Sequence, residues 1–370
     1  MAVVHCASGE CANSELDLFS LKPTQTSIKN SLFLEVSPLA ALTLLAPIEF
    51  YVSGSTDMYL DLNNTLLHLV CKITKANITN IEDDAKVAPI AYLIATMFNE
   101  VDINPEDRLV TQSDNMYAYK AYIENKLLIN GIDLKIKLTR NKDAFFLISG
   151  EAEQYKLVIL STSLFIKRVK VSLSVRLAHA EALQLSNSKY TIERVALKIF
   201  SISAGTRLTQ QQNLFLGQLP KLIIIRFVDN TAFSGLYTTN PFNFKYYDIN
   251  CATLVNEGNV IPAKPFIPSF GTSNFVREYL RLVSITGKHL RDSRVIVSRE
   301  GYGAGYTFFA FDLTPDMEDG DHYSLIRNGN LKAEIRFTQA LANNVNMAVF
   351  SVFDSVIQVN HARQLMFDYH

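Results

Sequence analysis

Tryptophan is absent from this 370-residue chain, and cysteine is sparse, at Cys6, Cys11, Cys71 and Cys251. Four cysteines so spread make no disulfide framework and fit synthesis in a reducing compartment. Cys6 and Cys11 with His5 amount to half of a metal site, because no second Cys/His pair at finger spacing follows before His68. The longest apolar runs, Leu39 to Phe50 and Val87 to Phe98, fall short of the ~18 to 20 residues that cross a bilayer, and no charged-then-apolar leader is present. No membrane span is expected. Charge excess is missing too: 35 Lys plus Arg stand against 36 Asp plus Glu, which argues against a dedicated nucleic-acid binder and favours self-association. The seven histidines form no His-x-His pair and no His-Glu-x-x-His, and no Gly-x-Ser-x-Gly elbow occurs. Neither an enzyme nor a cofactor or metal is expected.

What the chain has is material for sheet interiors. Hydrophobic residues make up 48%, with 23 Phe and 16 Tyr, and the length suggests about two domains. Residues 1–24 lack periodicity and read as an arm. Strands are expected at Thr26 to Val36, Ile48 to Ser53 and Met58 to Lys75; in the last, Leu67, Leu69, Cys71 and Ile73 alternate with His68, Val70, Lys72 and Thr74. After a polar loop from Asn77 to Lys86, Val87 to Phe98 reads as a buried helix or a strand, the helix preferred, followed by a strand at Val101 to Ile103. Met116 to Leu128 has helical spacing, with Gly131 just past its end. Ile132 to Leu138 alternates, as do Val169, Val171, Leu173, Val175 and Leu177, so both read as half-buried strands. A helical bridge, Leu177 to Leu185, and the polar Ser186-Asn187-Ser188 mark a boundary that separates 25–183 from 184–370.

The second part repeats the pattern, with strands at Tyr190 to Ser203, Lys221 to Val228, Tyr246 to Val255, Tyr306 to Leu313, Leu331 to Thr338 and Met347 to Val359. A helix from about Thr272 to Ser284 places Phe275, Tyr279, Leu280 and Val283 on one face, capped by Thr272 or Ser273 and ended by Gly287. Many short strands with turn signals predict an all-β chain of two sandwiches of about eight strands each.

The most informative block lies between Gln218 and Phe270. Leu219-Pro220 leads an apolar strand, Leu222 to Val228, and Asn256-Glu257-Gly258-Asn259 supplies a reversal at Gly258. In Asn240-Pro241-Phe242-Asn243-Phe244, Pro241 holds Asn240 extended and sets Phe242 and Phe244 at strand spacing. Both rings are expected beneath the start of the Tyr246 strand. Pro220, Asn240, Pro241, Phe242, Phe244 and Gly258 are the structural and interface candidates. Lys167, Arg168, Lys170 and Arg176 form one basic strip on the polar side of a strand, able to touch phosphates weakly or to serve as an exposed face or subunit edge. Gly301-Tyr302-Gly303-Ala304-Gly305 leads into a strand and carries no Lys-Ser/Thr, so it reads as a hairpin or strand-entry loop and not a phosphate cradle. Asp316, Glu318, Asp319 and Asp321 crowd one turn but miss the EF-hand register, and read as a solvated turn.

The segments Gly217-Gln218-Leu219-Pro220-Lys221, Val228-Asp229-Asn230-Thr231-Ala232-Phe233, Asn240 to Phe244 and Phe311-Asp312-Leu313-Thr314-Pro315-Asp316 carry a resemblance that extends over most of the chain. Ser14 to Phe19, Thr24 to Ile28, Tyr51 to Ser55 and Tyr117 to Glu124 share in it. The sequence resembles the major capsid proteins of the double-jelly-roll lineage of double-stranded DNA viruses, in particular Maverick/Polinton-like and adinto-like viruses and their integrated copies in animal genomes. The resemblance implies two jelly rolls in tandem joined by short helices, homotrimers that form pseudo-hexagonal capsomers, and an icosahedral shell completed by penton or minor capsid proteins. It implies a protein made soluble in the host cytoplasm and placed in the virion capsid, with assembly there or in the nucleus, and at most weak contact with genomic DNA. Loops between Gly205 and Gly217 and between Asp229 and Tyr246 are expected at the trimer contacts. In that family a variable loop and a further strand separate the counterparts of Tyr117–Leu128 and Leu128–Asp133, which here run together. Either the chain has lost a loop and a strand of its first roll, or the sequence omits several tens of residues. A two-domain β-sandwich module binding carbohydrate or a receptor is the alternative reading.

Overall fold

The computed structural model of the chain describes residues 24–43, 46–90, 92–106, 108, 127–150, 154–285, 297–315, 323 and 325–368. The arm up to residue 23, the Met116 helix up to residue 126, the Asn125 side of the junction with Gly131, the helix end expected at Gly287 and the acidic turn from Asp316 lie outside these residues.

The first part contains β1 (Ile28–Val36), β2 (Ile48–Val52), β3 (Met58–Lys75), β4 (Val87–Pro89), α1 (Leu93–Met97), β5 (Phe98–Pro105), β6 (Leu134–Arg140), α2 (Asp143–Phe146), β7 (Leu147–Ser149) and β8 (Tyr155–Val171). Alternating burial along β6 and β8 aims Leu134, Leu138, Leu164 and Ile166 at a core shared with Phe50 and Val52. The sheets enclosing that core are ordered β1-β8-β3 and β2-β6-β5, with β4-β7 a small third sheet.

The helix α3 (Leu173–Leu185) leads to β9 (Ser188–Ile202), β10 (Leu208–Gln218), β11 (Leu222–Asp229), α4 (Asn230–Phe233), β12 (Ile249–Asn256), β13 (Asn259–Phe266), α5 (Val276–Ile285), α6 (Arg299–Gly303), β14 (Phe309–Asp312), β15 (Asn328–Phe337), β16 (Val345–Val359) and β17 (Leu365–Phe367). One sheet is β10-β15-β12-β13; the other runs β14-β11-β16, with β9 and β17 also paired to β16. Numbering β9 to β16 from first to eighth, the sheets read 2-7-4-5 and 6-3-8-1, the wiring of a jelly roll. The first part repeats this wiring as β1-β8-β3 and β2-β6-β5, without an outermost strand on either sheet among the described residues. Phe227, Phe309, Phe337, Ile225 and Val349 fill the second core. The far end of β16 and β17 departs from a clean division: Ile357, Val359 and Leu365 belong to the first core.

Several elements differ from the sequence reading, each for a local reason. The alternation expected through Leu177 ends at Val171, because the Ser172 hydroxyl accepts from the Val175 amide and starts α3. The stretch from Val87 gives only a three-residue strand paired with β7 and the five-residue α1, since Pro89 cannot sit within a helix. The supposed loop between Gly205 and Gly217 is mostly β10, an edge strand paired to β15. The strand expected from Tyr246 begins at Ile249, after Tyr247 and Asp248 turn through positive φ of 46 and 49°. That expected at Tyr306 begins at Phe309. Within the glycine-rich segment lies α6, whose first turn is capped by Ser298 Oγ accepting from Gly301 N at 3.0 Å. In the helix expected from Thr272, Ser273 takes φ 55° and separates a 3-10 turn at Phe270–Thr272 from α5. Leu282, not Leu280, joins the buried face, and Leu280 is exposed.

Candidate assembly surface

Pro220 is buried between two residues that do pair: Leu219 N donates to Arg327 O, and Lys221 N to Val352 O, both at 2.8 Å. Lacking an N–H, the proline interrupts the ladder where β10 gives way to β11. Lys221 Nζ then reaches Glu193 Oε1 at 2.5 Å and Asp354 Oδ1 at 3.0 Å. Glu193 and Asp354 are opposed across β9 and β16, where like charges would repel. Burial alone would lower the Lys221 ammonium, but its bonds to both carboxylates outweigh that and hold it above its ordinary value.

The Asn240–Phe244 segment is a compact turn. Asn240 Oδ1 accepts from Phe242 N at 2.8 Å, an Asx turn, and Asn240 O accepts from Asn243 N at 3.1 Å. Pro241 is buried, Phe244 is 3% exposed, and Phe242 is only half-buried. The two rings do not share one side of a strand. They meet edge to face with centroids 6.1 Å apart; Phe244 packs on Phe308 and beneath the Arg226 guanidinium, while Phe242 turns to Phe145 of α2. Phe244 is fixed by its backbone as well, donating to Gly305 O at 2.7 Å and accepting from Thr307 N at 3.0 Å. Gly258, at φ 90° after Glu257 at 48°, forms the two-residue turn between the paired Asn256 and Asn259.

The basic strip does not hold together as one. Lys167, Arg168 and Lys170 lie on β8, but Arg176 lies on α3, because the strand ends at Val171. Lys167 Nζ is 3.1 Å from Asp61, Lys170 Nζ is 3.5 Å from Asp57, and Arg168 donates to Ser53 O at 2.7 Å. At Asp61, burial pushes the carboxyl up, but bonds from Asn64 and Lys167 prevail and keep it below its ordinary value.

Sequence reasoning missed an apolar face. On the outer side of the β1-β8-β3 sheet, Phe33 is 53%, Leu66 58% and Leu160 58% exposed. Register sets Lys167 between Phe33 and Asp61, and Phe165 between Glu35 and Leu66 in the next row. A signal was available: Val70 stands among polar residues on the outer side of β3. Leu160 lies farther along β8, beyond the His68–Ser163 row, so these side chains are spread along the face, which is a candidate protein contact. Among the described residues no group of three or more His, Cys, Asp or Glu could hold a metal ion, and no helix is long and apolar enough to cross a membrane.

No family model matches the chain. The Caenorhabditis elegans uncharacterized protein F54H12.2 is 23% identical over 414 residues, covering 93% of this chain and 99% of that one. Because 93% of 370 residues is about 344, roughly 70 of those 414 aligned positions fall opposite gaps in this chain. Among solved structures, a chain of the Sputnik virophage superposes with a TM-score of 0.61 at 10% identity, over 99% of this chain and 94% of that one. The mavirus major capsid protein gives 0.57 at 10% identity, over 100% and 97% of the two chains. The fold is the double jelly roll. A chain of the PBCV-1 virus capsid matches it as well, with a TM-score of 0.57 at 10% identity over 95% and 99% of the chains.

Proposed function

We propose that this double jelly roll is a major capsid protein of a double-stranded DNA virus or of an integrated copy of one, with a structural and not a catalytic role. The observation that carries the reading is the tandem of two jelly rolls, matched over nearly the whole chain by virophage and PBCV-1 capsid chains. Residues 1–24 serve as an arm, 25–183 as the first roll and 184–370 as the second. Three copies form a pseudo-hexagonal capsomer, and capsomers tile an icosahedral shell together with penton or minor capsid proteins. Each copy contributes its exposed Phe33, Leu66 and Leu160 face to a neighbour, so that modest contacts repeated by symmetry add up to a stable shell. Contact with the genome is weak and non-specific, since Lys167 and Lys170 already face carboxylates. The protein is made soluble in the host cell and resides in the virion capsid. The neighbours named above do not favour the carbohydrate- or receptor-binding alternative.

Light scattering with electron microscopy of the purified protein tests this. The expected result is a particle of about three times 41.6 kDa with a hexagonal outline, lost on Leu66→Ser with Leu160→Ser while the fold persists. A monomer at micromolar concentration would overturn it.

A further inference from the structure

Two segments of the second roll reach across to the first, and the helix that joins the rolls in sequence does little of the holding. Of the 13 residues of α3, only Leu183 is buried. The loop after α4 is different. Tyr237 O accepts from Ser149 N at 2.9 Å, and Tyr237 Oη donates to Tyr155 O at 2.7 Å. Gly235, at φ 82°, lies so close that a Cβ there would sit 3.3 Å from Phe145 N. Phe242 completes the contact by meeting the Phe145 ring edge to face at 6.1 Å. This strap therefore grips the Tyr155 end of β8.

The second crossing lies at the other end of β8. There Leu60 pairs with Arg168 and bridges to Leu128. Next to Leu128, Ile129 N donates to Tyr190 Oη at 3.0 Å, and Asn130 Oδ1 accepts from Arg363 at 3.1 Å. Arg108 donates to Leu365 O at 2.8 Å, and Ile357, Val359 and Leu365 are buried in the first core. Contacts at both ends of a 17-residue strand oppose rotation in a way that one contact cannot.

We propose that the strap at 235–244 and the β16–β17 hairpin lock the two rolls into one rigid body, and that α3 is a tether whose continuity the lock does not need. The proposal rests on the seam alone and stands or falls apart from the capsid reading.

The experiment is to insert a protease site between the exposed Ala180 and Glu181 of the full chain and cleave it after folding. The two fragments should co-elute as one particle and melt in one transition, as before cleavage. In cleaved protein carrying Tyr237→Phe with Phe242→Ala, the fragments should separate at about tenfold or more higher concentration, the equivalent of one hydrogen bond and an aromatic contact. Separation of the cleaved parent, or identical dissociation with and without the strap substitutions, would overturn the lock. Should the insertion prevent folding, hydrogen exchange on the uncut chain decides. Tyr237→Phe with Phe242→Ala removes the side-chain hold on the strap, so the Ser149 amide, which donates to the Tyr237 carbonyl, should exchange faster while the β11 amides stay unchanged, and an unaltered Ser149 rate would refute the strap.

Discussion

The second roll covers the outer face of one of its sheets, whereas the matching face of the first carries exposed apolar side chains with no such helical cover among the described residues. On β11 and β14, Ile224 and Ala310 point away from the second core, and Phe275 just before α5, Leu282 of α5 and Tyr302 of α6 close over them. The matching sheet of the first roll, β1-β8-β3, presents Phe33 of β1, Leu66 of β3 and Leu160 of β8 to solvent. A sheet with its own helical cover gains little from a partner. A sheet with exposed apolar side chains gains from one, so the difference is why the proposed neighbour is set on this face. It also separates two kinds of substitution: changes in the second roll should read out as stability, and changes on the exposed face as association.

The largest effect under that rule should come at Phe244. Its ring is buried in the second roll among Phe242, Phe308 and Arg226, so Phe244→Ala should destabilise by about 3 to 5 kcal/mol. Phe242→Ala, removing a half-buried ring shared with the first roll, should lose roughly half as much. Denaturant titrations of the two variants check the order; a Phe242 loss equal to the Phe244 loss would mean that the seam is as dry as a core.

A smaller effect belongs to the β12–β13 turn. Gly258 sits at φ 90° with nothing within 4 Å of where a Cβ would stand, so Gly258→Val meets no neighbour and isolates backbone strain. The expected loss is ~1 to 2 kcal/mol, read from the urea midpoint, with the oligomeric state unchanged.

Much of this architecture was legible in the residues. The alternation from Met58 to Lys75 gives β3 to its ends, the apolar Leu222 to Val228 gives β11, and Glu257-Gly258 gives the hairpin. Where reading failed, another interaction competed with periodicity. β10 is written Leu-Thr-Gln-Gln-Gln-Asn over its first six residues, and only its ladder with β15 makes it a strand. Leu173, Val175 and Leu177 keep a two-residue period, yet the Ser172 cap turns the chain into α3, where Leu173 and Leu177 are left exposed. The start of β8 was hidden by the irregularity at Leu160, which lies between Ser161, opposite Val70, and Ile159, opposite Cys71. The exposed face was harder still: Val70 among polar residues was its one local signal, and exposure on the outer side of a sheet depends on what packs there.

The smallest expected effect contrasts two carboxylates, one in each roll. Burial pushes the Glu278 carboxyl of α5 above its ordinary value, against weaker help from backbone hydrogen bonding and Arg277. The folded chain then holds a proton that the unfolded chain releases, so this group's contribution falls as pH rises from about 4.5 through the folded pKa, and stays a penalty above it. In the first roll the signs reverse. Asp133 accepts from Gly54 N at 2.6 Å and from Tyr51 Oη at 2.5 Å, which lowers its carboxyl. Its contribution is present above about 3.8 and is lost as pH falls through the lowered value. Glu278→Gln should therefore raise the Tm at pH 7 and leave it unchanged well below pH 4, while Asp133→Asn should lower the Tm at pH 7 and lose that effect in acid. Melts of both variants across this range measure the contrast. A Glu278→Gln gain that persists undiminished in acid would place the effect in packing, because protonation has by then made the two side chains equally neutral.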